Sequence, residues 1–491
     1  MLVEIILFLT LLAFLVKVSR PPTGLPPGLW GLPFIGSIPD TSVPFTEYIH
    51  GLAKRYGDIF YLKAGSRLMF FISDFDMAKT AYSGHDAVDR PDMFTLQVFS
   101  YFKPYGIITS NGELWQSNKR SSLRYLRDFG MGKTSLQDII QYEAAALIKD
   151  LHQFVGKPTK LSWNLNVSIL NILWKIVADR RFEVTDKRIQ NFANLIDANV
   201  DIMSGPIALL DICPSLIPLL PTFLKNKWMK LDVLKQNRDL FYEYIMEEVE
   251  NHRNSVDPEN PRDLIDSFLI EMKEKMNDNE NFLNLSILIA HLFVAGSDTT
   301  SNTIRWTVLY MALYPHVQKR VQEEIDNVVG SDRQPGLEDR ESLMYLEAVI
   351  NEVHRKASLV PFSLPHQSSK EIKLGGYTIP KDSILLLVSN QIHNDKRYWE
   401  KPDMFYPEHF LDENGKVLTK KDGYLPFSIG RRQCVGESLA RMSLFLFCAA
   451  FLQKYNISAP PGEKLTEEPD PKKLLIRAPK PFRIILTKRH F

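Results

Sequence analysis

The segment Phe427-Ser-Ile-Gly-Arg-Arg-Gln-Cys-Val-Gly436 constrains this chain more than any other. It sets Cys434 in a loop punctuated by glycines, with Arg432 two residues before it and an apolar helical run, about Glu437 to Gln453, directly after. A lone cysteine in a turn is usually small, buried and inert. This one carries the features of a held thiolate. Gly430 and Gly436 let backbone approach closely. The N–H groups that open the next helix face the sulfur and lower its basicity. Arg432 can answer a carboxylate on a large, flat, anionic cofactor, and Phe427 can shield one flank from water.

Two other segments carry unusual chemistry. The run His291-Leu-Phe-Val-Ala-Gly-Ser-Asp-Thr-Thr-Ser-Asn302 lies inside a helical pattern from about Leu283 to Tyr314. Gly, Ser, Asp, Thr and Asn in succession compete for backbone hydrogen bonds and are rare in helix interiors. A solvent face does not explain them, because Ile287 to Ala295 is almost wholly apolar. Such a notch predicts a local distortion that admits water. Glu352-Val-His-Arg355 puts a carboxylate and a guanidinium on one helix face, a pair worth little when exposed.

Together these segments resemble the cytochrome P450 family. F-x-x-G-x-R-x-C-x-G is its haem-ligand loop, and Ala295-Gly296-Ser-Asp298-Thr299-Thr300 resembles its oxygen-activating helix. Glu352 to Arg355, about eighty residues before Cys434, resembles its E-x-x-R helix. Phe405-Tyr-Pro-Glu-His-Phe410 resembles its P-E-R-F stretch, with His409 in place of arginine, so the third partner of the Glu352–Arg355 pair stays open. Leu425-Pro-Phe-Ser-Ile-Gly430, Asn260-Pro-Arg-Asp-Leu-Ile-Asp266, Asp128-Phe-Gly-Met-Gly-Lys133 and the proline-rich Leu25 to Gly36 resemble the microsomal group, which includes vertebrate drug-metabolising enzymes and arthropod relatives. The resemblance covers nearly all of the chain after residue 25.

The resemblance implies a haem-thiolate monooxygenase. Cys434 is then the ligand of the iron of haem b, where a thiolate favours O–O cleavage. Thr299 and Asp298 deliver protons, Gly296 opens space for oxygen and Ala295 touches substrate. Trp115, Lys119, His366 and Arg432 meet the haem propionates, with Phe427 and Gly436 beside the cofactor. Lys119 stands where the family usually has arginine, which keeps the charge and loses the bidentate fork. NADPH-cytochrome reductase and cytochrome b5 are the implied partners. Arg120, Arg124 and Arg127, on one helix face, offer an acidic reductase a docking surface. A haem-thiolate isomerase or dehydratase and a non-catalytic haem-binding gas or lipid sensor are the alternatives.

Composition narrows the rest. A formal net charge of +1 over 491 residues, with no basic block, argues against nucleic acid. Cys213, Cys434 and Cys448 are too few for a disulfide framework and point to a reducing compartment. No Walker loop or G-x-G-x-x-G is present. Residues 1–20 read as a single-pass N-terminal anchor: the apolar run 2–16 has Glu4 near its start and Lys17 and Arg20 after it. Residues 21–38 read as a Pro-rich hinge and 39–491 as one catalytic domain facing the cytosol at the endoplasmic reticulum membrane. Asp58 to Ser73 and Ile372 to Ser389 predict strands. Helices are predicted at Ser135–Phe154, Asn164–Ala178, Asp232–Arg253, Arg262–Lys275, Asn284–Tyr314, His316–Val329, Leu343–Ala357 and Glu437–Gln453. The fold class is mainly α with a minor β-sheet, and the resemblance implies the cytochrome P450 fold. Pro206 to Trp228 is apolar but broken by prolines, so it contacts membrane lipid without spanning it. The apolar stretches Thr95–Tyr105, Ile202–Leu210, His291–Ala295, Val360–Leu364 and Leu475–Ile476 suit a neutral lipophilic substrate: a steroid, a terpenoid or juvenoid, a fatty acid or a xenobiotic.

Overall fold

Helical runs dominate because apolar residues recur at three- and four-residue spacing along most of the chain. Those that position the site are α1 (Phe75–Ser83), α2 (Gly112–Asp128), α3 (Thr134–Leu151), α4 (Ser162–Ala178), α5 (Lys187–Met203), α6 (Leu231–Arg253), α7 (Asp278–Leu313), α8 (Pro315–Val328), α9 (Met344–Ala357) and α10 (Glu437–Lys454). The computed structural model describes residues 4–6, 10, 20–32, 35–40, 42–128, 134–272, 278–473 and 475–489. Apart from 4–6, 10 and 20, the expected anchor lies outside the described residues, as do residues 129–133 of the Asp128–Lys133 motif.

α7 is apolar on nearly every side, the signature of a helix buried all round. It is long and apolar enough to cross a membrane by length and composition. Here it is the central beam of the core. Ile304 to Met311 pack with α3, α8, α9 and α10, while Leu285 to Phe293 pack with α4, α5 and α6. Its aromatic residues extend that packing: Tyr310 stacks on Phe405 at 4.4 Å between ring centroids. α10, which follows the cysteine loop, is buried from Met442 to Gln453.

The strands are β1 (Gly28–Leu29), β2 (Ile59–Ala64), β3 (Arg67–Ile72), β4 (His366–Gln367), β5 (Ile372–Leu374), β6 (Tyr377–Ile379), β7 (Ile384–Leu387), β8 (Tyr455–Ser458) and β9 (Ile485–Lys488). One sheet has the order β1-β2-β3-β7-β4, with β5-β6 and β8-β9 as separate pairs. In the larger sheet β1 and β2 are parallel, as are β3 and β7, and β4 runs antiparallel to β7 with His366 opposite Leu385.

Most predicted elements are present within a few residues. The helix expected over Arg262–Lys275 is the shorter Leu264–Met272, because Asp263 caps it: its Oδ1 accepts from Asp266 N at 3.0 Å. α5 was absent from the sequence expectations. Asp186 starts it, accepting from Arg188 N at 2.7 Å. Pro206 to Trp228 forms short helical pieces, with Leu219 75% and Phe223 65% exposed.

Candidate active site

The cysteine loop closes through Cys434 N, which donates to Phe427 O at 3.0 Å. Gly430 is required: its φ is +83°, and an added Cβ would fall 2.1 Å from Tyr82 O at the end of α1. Arg431 N donates to the same carbonyl at 3.1 Å, so the loop is pinned to α1. Gly436 has an ordinary φ of −89°, and a Cβ there would sit 3.9 Å from Cys434 Sγ. Its backbone conformation therefore does not demand glycine. Phe427 is half-buried, with the His354 ring edge-on at 5.2 Å and the Arg441 guanidinium at 4.8 Å.

The N–H groups of Gly436 and Glu437 do bond the sulfur and lower its pKa, as expected. Burial is the larger effect, however, and the net direction is up. Cys434 is nonetheless exposed while protein surrounds it on nearly every side, so it borders open space. Ala295 is likewise exposed on an otherwise buried stretch of α7.

Beside this loop lies a buried cationic cluster. Arg432 donates to Val88 O (2.9 Å), Ile107 O (3.2 Å), Ser110 O (2.7 Å) and Asn111 Oδ1 (2.9 Å). Every acceptor is neutral. Its guanidinium lies 4.0 Å from the centroid of the Trp115 ring, and Lys119 approaches that ring at 5.5 Å. Burial, then the Arg90 charge, bring Arg432 down to about 9. Arg90, which sequence reasoning missed, donates to Leu364 O at 3.0 Å and Pro365 O at 2.8 Å, and its buried Nε has no partner. Burial pushes Arg90 down to about 10. Among the described residues no carboxylate forms an ion pair with Arg90, Lys119 or Arg432. His366 Nδ1 donates to Ala87 O at 2.6 Å; burial first, then Arg90, hold the imidazole well below its usual pKa. The only trace of Arg90 in the sequence is Asp89-Arg90-Pro91, an aperiodic loop.

On α7 the polar notch does not break the helix. The hydroxyls of Ser297, Thr299, Ser301, Thr303 and Thr307 donate to carbonyls four residues back, at 2.7 to 3.0 Å. The expected distortion is replaced by this back-bonding. Gly296 needs a second correction. An added Cβ would meet the Leu173 side chain at 3.1 Å, so Gly296 lets α4 approach α7 and does not open space for oxygen. His291 is buried, its Nδ1 accepting from Ile107 N and Ile108 N at 3.3 and 3.4 Å, which ties that loop to α7. Asp298 is pushed up to about 7, by burial first and by the Asp197 carboxylate second.

Glu352 and Arg355 are both fully buried and pair bidentately at 2.7 Å. Arg355 also donates to His393 O, Pro402 O and Met404 O at 2.7 to 3.0 Å. The open third position is filled by His409. Lys401 N donates to its Nε2 at 3.2 Å, so Nδ1 carries the proton and donates to Glu352 Oε2 at 3.3 Å. Arg120, Arg124 and Arg127 are exposed on α2, but Arg124 already pairs with Glu271 at 2.5 Å.

Residues 26–486 match the family model described as Cytochrome P450. The chain belongs to the cytochrome P450 family. It is 42% identical to Cytochrome P450 2L1 of Panulirus argus over 475 residues, 96% of each chain. It is 36% identical to Cytochrome P450 2J3 of Rattus norvegicus, over 95% of this chain and 92% of that one. Cytochrome P450 18a1 of Drosophila melanogaster is 35% identical over 93% of this chain and 86% of its own length. As a cytochrome P450 this is a monooxygenase that binds haem through a thiolate.

Proposed function

We propose that this cytochrome P450 is membrane-bound and inserts one atom of dioxygen, as a hydroxyl or an epoxide oxygen, into a lipophilic small molecule, with electrons from an NADPH-dependent reductase. The observation that carries the reading is the buried cationic cluster beside Cys434. Arg90 and Arg432 sit out of water with only neutral acceptors, and an anion with two carboxylates matches that donor set. Haem, when bound, supplies the activation of dioxygen that side chains lack. Cys434 Sγ would hold its iron, a cation that reverses the upward pull of burial on the thiol. Arg432, Arg90, Lys119, Trp115 and His366 would hold its propionates, and Phe427 excludes water from one flank.

Thr299 Oγ1 orients an ordered water, and Asp298 relays protons. A carboxyl near 7 is half-protonated at neutral pH, which suits an acid that must both give and regain a proton. Ala295 offers substrate a small apolar surface. A cavity of about 120 Å³ lined by Met93, Leu96, Phe102, Ile108 and Leu364 supports a lipophilic substrate, whether steroid, terpenoid, fatty acid or xenobiotic. Residues 1–20 anchor the chain in the endoplasmic reticulum membrane, 21–38 form a hinge, and domain 39–491 faces the cytosol. Exposed Leu216, Leu219, Phe223 and Trp228, flanked by Lys225 and Lys227, make a second lipid contact. Arg120 and Arg127 offer the reductase a basic face.

The test is product formation from a panel of lipophilic compounds by the reductase-reconstituted enzyme. Product is expected only with both oxygen and NADPH. Product without either would favour an isomerase, and a haem spectrum without product a binding protein. Cys434→Ser is expected to lose the thiolate-type band of the reduced carbon monoxide complex, whereas Cys448→Ser keeps it. The opposite pattern would move the ligand to Cys448.

A further inference from the structure

α5 and α7 bring two carboxyl groups to one buried place. Asp197 of α5 and Asp298 of α7 share a side-chain hydrogen bond. Carboxylates this close repel strongly when both are ionised, and one proton held between them removes the repulsion. The facing charges favour keeping it. Asp201 comes from α5, Arg305 from α7, and Asp470 and Lys473 from the C-terminal segment. With the pair itself that makes four acids against two bases, so one retained proton brings the set nearer balance. Arg305 NH1 donates to Asn302 Oδ1 at 2.9 Å, and neither carboxyl has an ion pair with it among the described residues. Lys473 pairs with Asp201 at 2.5 Å, and both reach solvent. The inner end of the pair adjoins Thr299 in the chain.

We infer that Asp197 is the second carboxyl of the proton-delivery chain: it shares the proton that Asp298 passes toward Thr299 and regains one from solvent on the Lys473–Asp201 side. This rests on the role proposed above for Asp298 and Thr299. Each cycle moves one proton out of the pair and one in from water, with no electron transferred. Two cycles supply the two protons that convert the second oxygen atom of dioxygen to water. Burial raises Asp197 as it raises Asp298, consistent with a proton held in common.

The experiment titrates the protonated-carboxyl infrared band of the haem-loaded enzyme from pH 5 to 9. Product formed per NADPH is measured over pH 6 to 9 with the fastest-oxidised member of the panel. The wild type is expected to lose a band near pH 7 that Asp298→Asn lacks. Asp197→Asn removes the negative charge that opposes ionisation of Asp298, so band and coupling limb should both move down by about one pH unit or more. Lys473→Met removes a charge that favours ionisation, so both should move up. Asp197→Glu should restore the wild-type position. A purely structural role for Asp197 predicts no opposed shifts. If Asp197→Asn leaves the band in place while Asp298→Asn abolishes it, the inference is overturned alone. If Asp197→Asn fails to load haem, Lys473→Met decides, and an unmoved band overturns the inference. If Thr299→Ala and Asp298→Asn both couple like the wild type, the underlying proton-delivery role fails and the inference falls with it.

Discussion

Two buried clusters of arginine sit in this molecule, and they are built oppositely. Around Arg355 the charge is closed: Glu352 answers it bidentately, His409 and Tyr406 N complete the carboxylate, and three carbonyls take the remaining donors. Around Arg432 and Arg90 the charge is open: the acceptors are carbonyls and one asparagine, and Arg90 Nε has none. Desolvating a charge costs several kcal/mol unless a counter-charge is present. The closed cluster holds the fold by itself. The open one is stable in full only with an anion that the chain does not contain.

The largest effect should come from breaking the closed cluster. Glu352→Ala leaves a fully buried guanidinium unpaired, which costs about 3–5 kcal/mol out of the roughly 5–15 kcal/mol that holds a domain together. Little haem-loaded protein should be recovered, and Tm of what remains should fall by many degrees. A loss below about 1 kcal/mol would erase the contrast between the clusters.

Opening the other cluster further should act on the cofactor and spare the fold. Arg432→Met keeps an aliphatic body over Trp115 and removes the charge. Transfer of haem to an excess of apomyoglobin should speed up about ten- to hundredfold, the worth of one charge-assisted hydrogen bond. The urea midpoint of the haem-free protein should move less than for Glu352→Ala. An unchanged transfer rate would assign Arg432 a packing role only.

The smallest effect separates the clusters by pH. His354 and His393, near Arg355, are held down to about 3, by burial first, and burial also holds His366 well below its usual value. The unfolded chain takes protons on these residues below about pH 6.5 and the native chain does not. Stability is therefore complete above that pH and declines as pH falls, by up to about 1.4 kcal/mol per pH unit for each group. Bound propionates should raise His366 alone. Haem-loaded protein should then lose stability between pH 6.5 and 5 with a slope about one proton smaller than haem-free protein, read from urea midpoints. Equal slopes would place His366 away from any anion.

The sequence revealed what is local. The spacing around Cys434, the polar notch on α7 and the Glu352–Arg355 pair are all patterns within a dozen residues, so they could be read directly. What escaped depends on packing between distant segments. Arg90 lies in an aperiodic loop and becomes significant only when Arg432, over three hundred residues on, is bonded to the neighbouring Asn111. Asp197 was hidden because α5 itself went unrecognised, although its cap Asp186 and the apolar residues Ile189, Phe192, Ala193 and Ile196 follow helical spacing. Gly296 was visible, but which way its missing side chain faces is decided by Leu173 on another helix. His409 departs from the family pattern, and only its contacts identified it as the third partner of Glu352.

The back-bonded hydroxyls of α7 have a consequence in time. Thr299 gives its single hydrogen to Ala295 O at 2.7 Å and so meets the open space as an acceptor. In the role proposed for it, it must swing that O–H rotor away before it can hand anything on. Rotor and rotamer changes of this kind take picoseconds to nanoseconds, whereas enzymes turn over on the order of 1 to 1,000 times a second. The rotor is therefore never the clock, and any pause in delivery is set by how fast the carboxyl behind it is refilled.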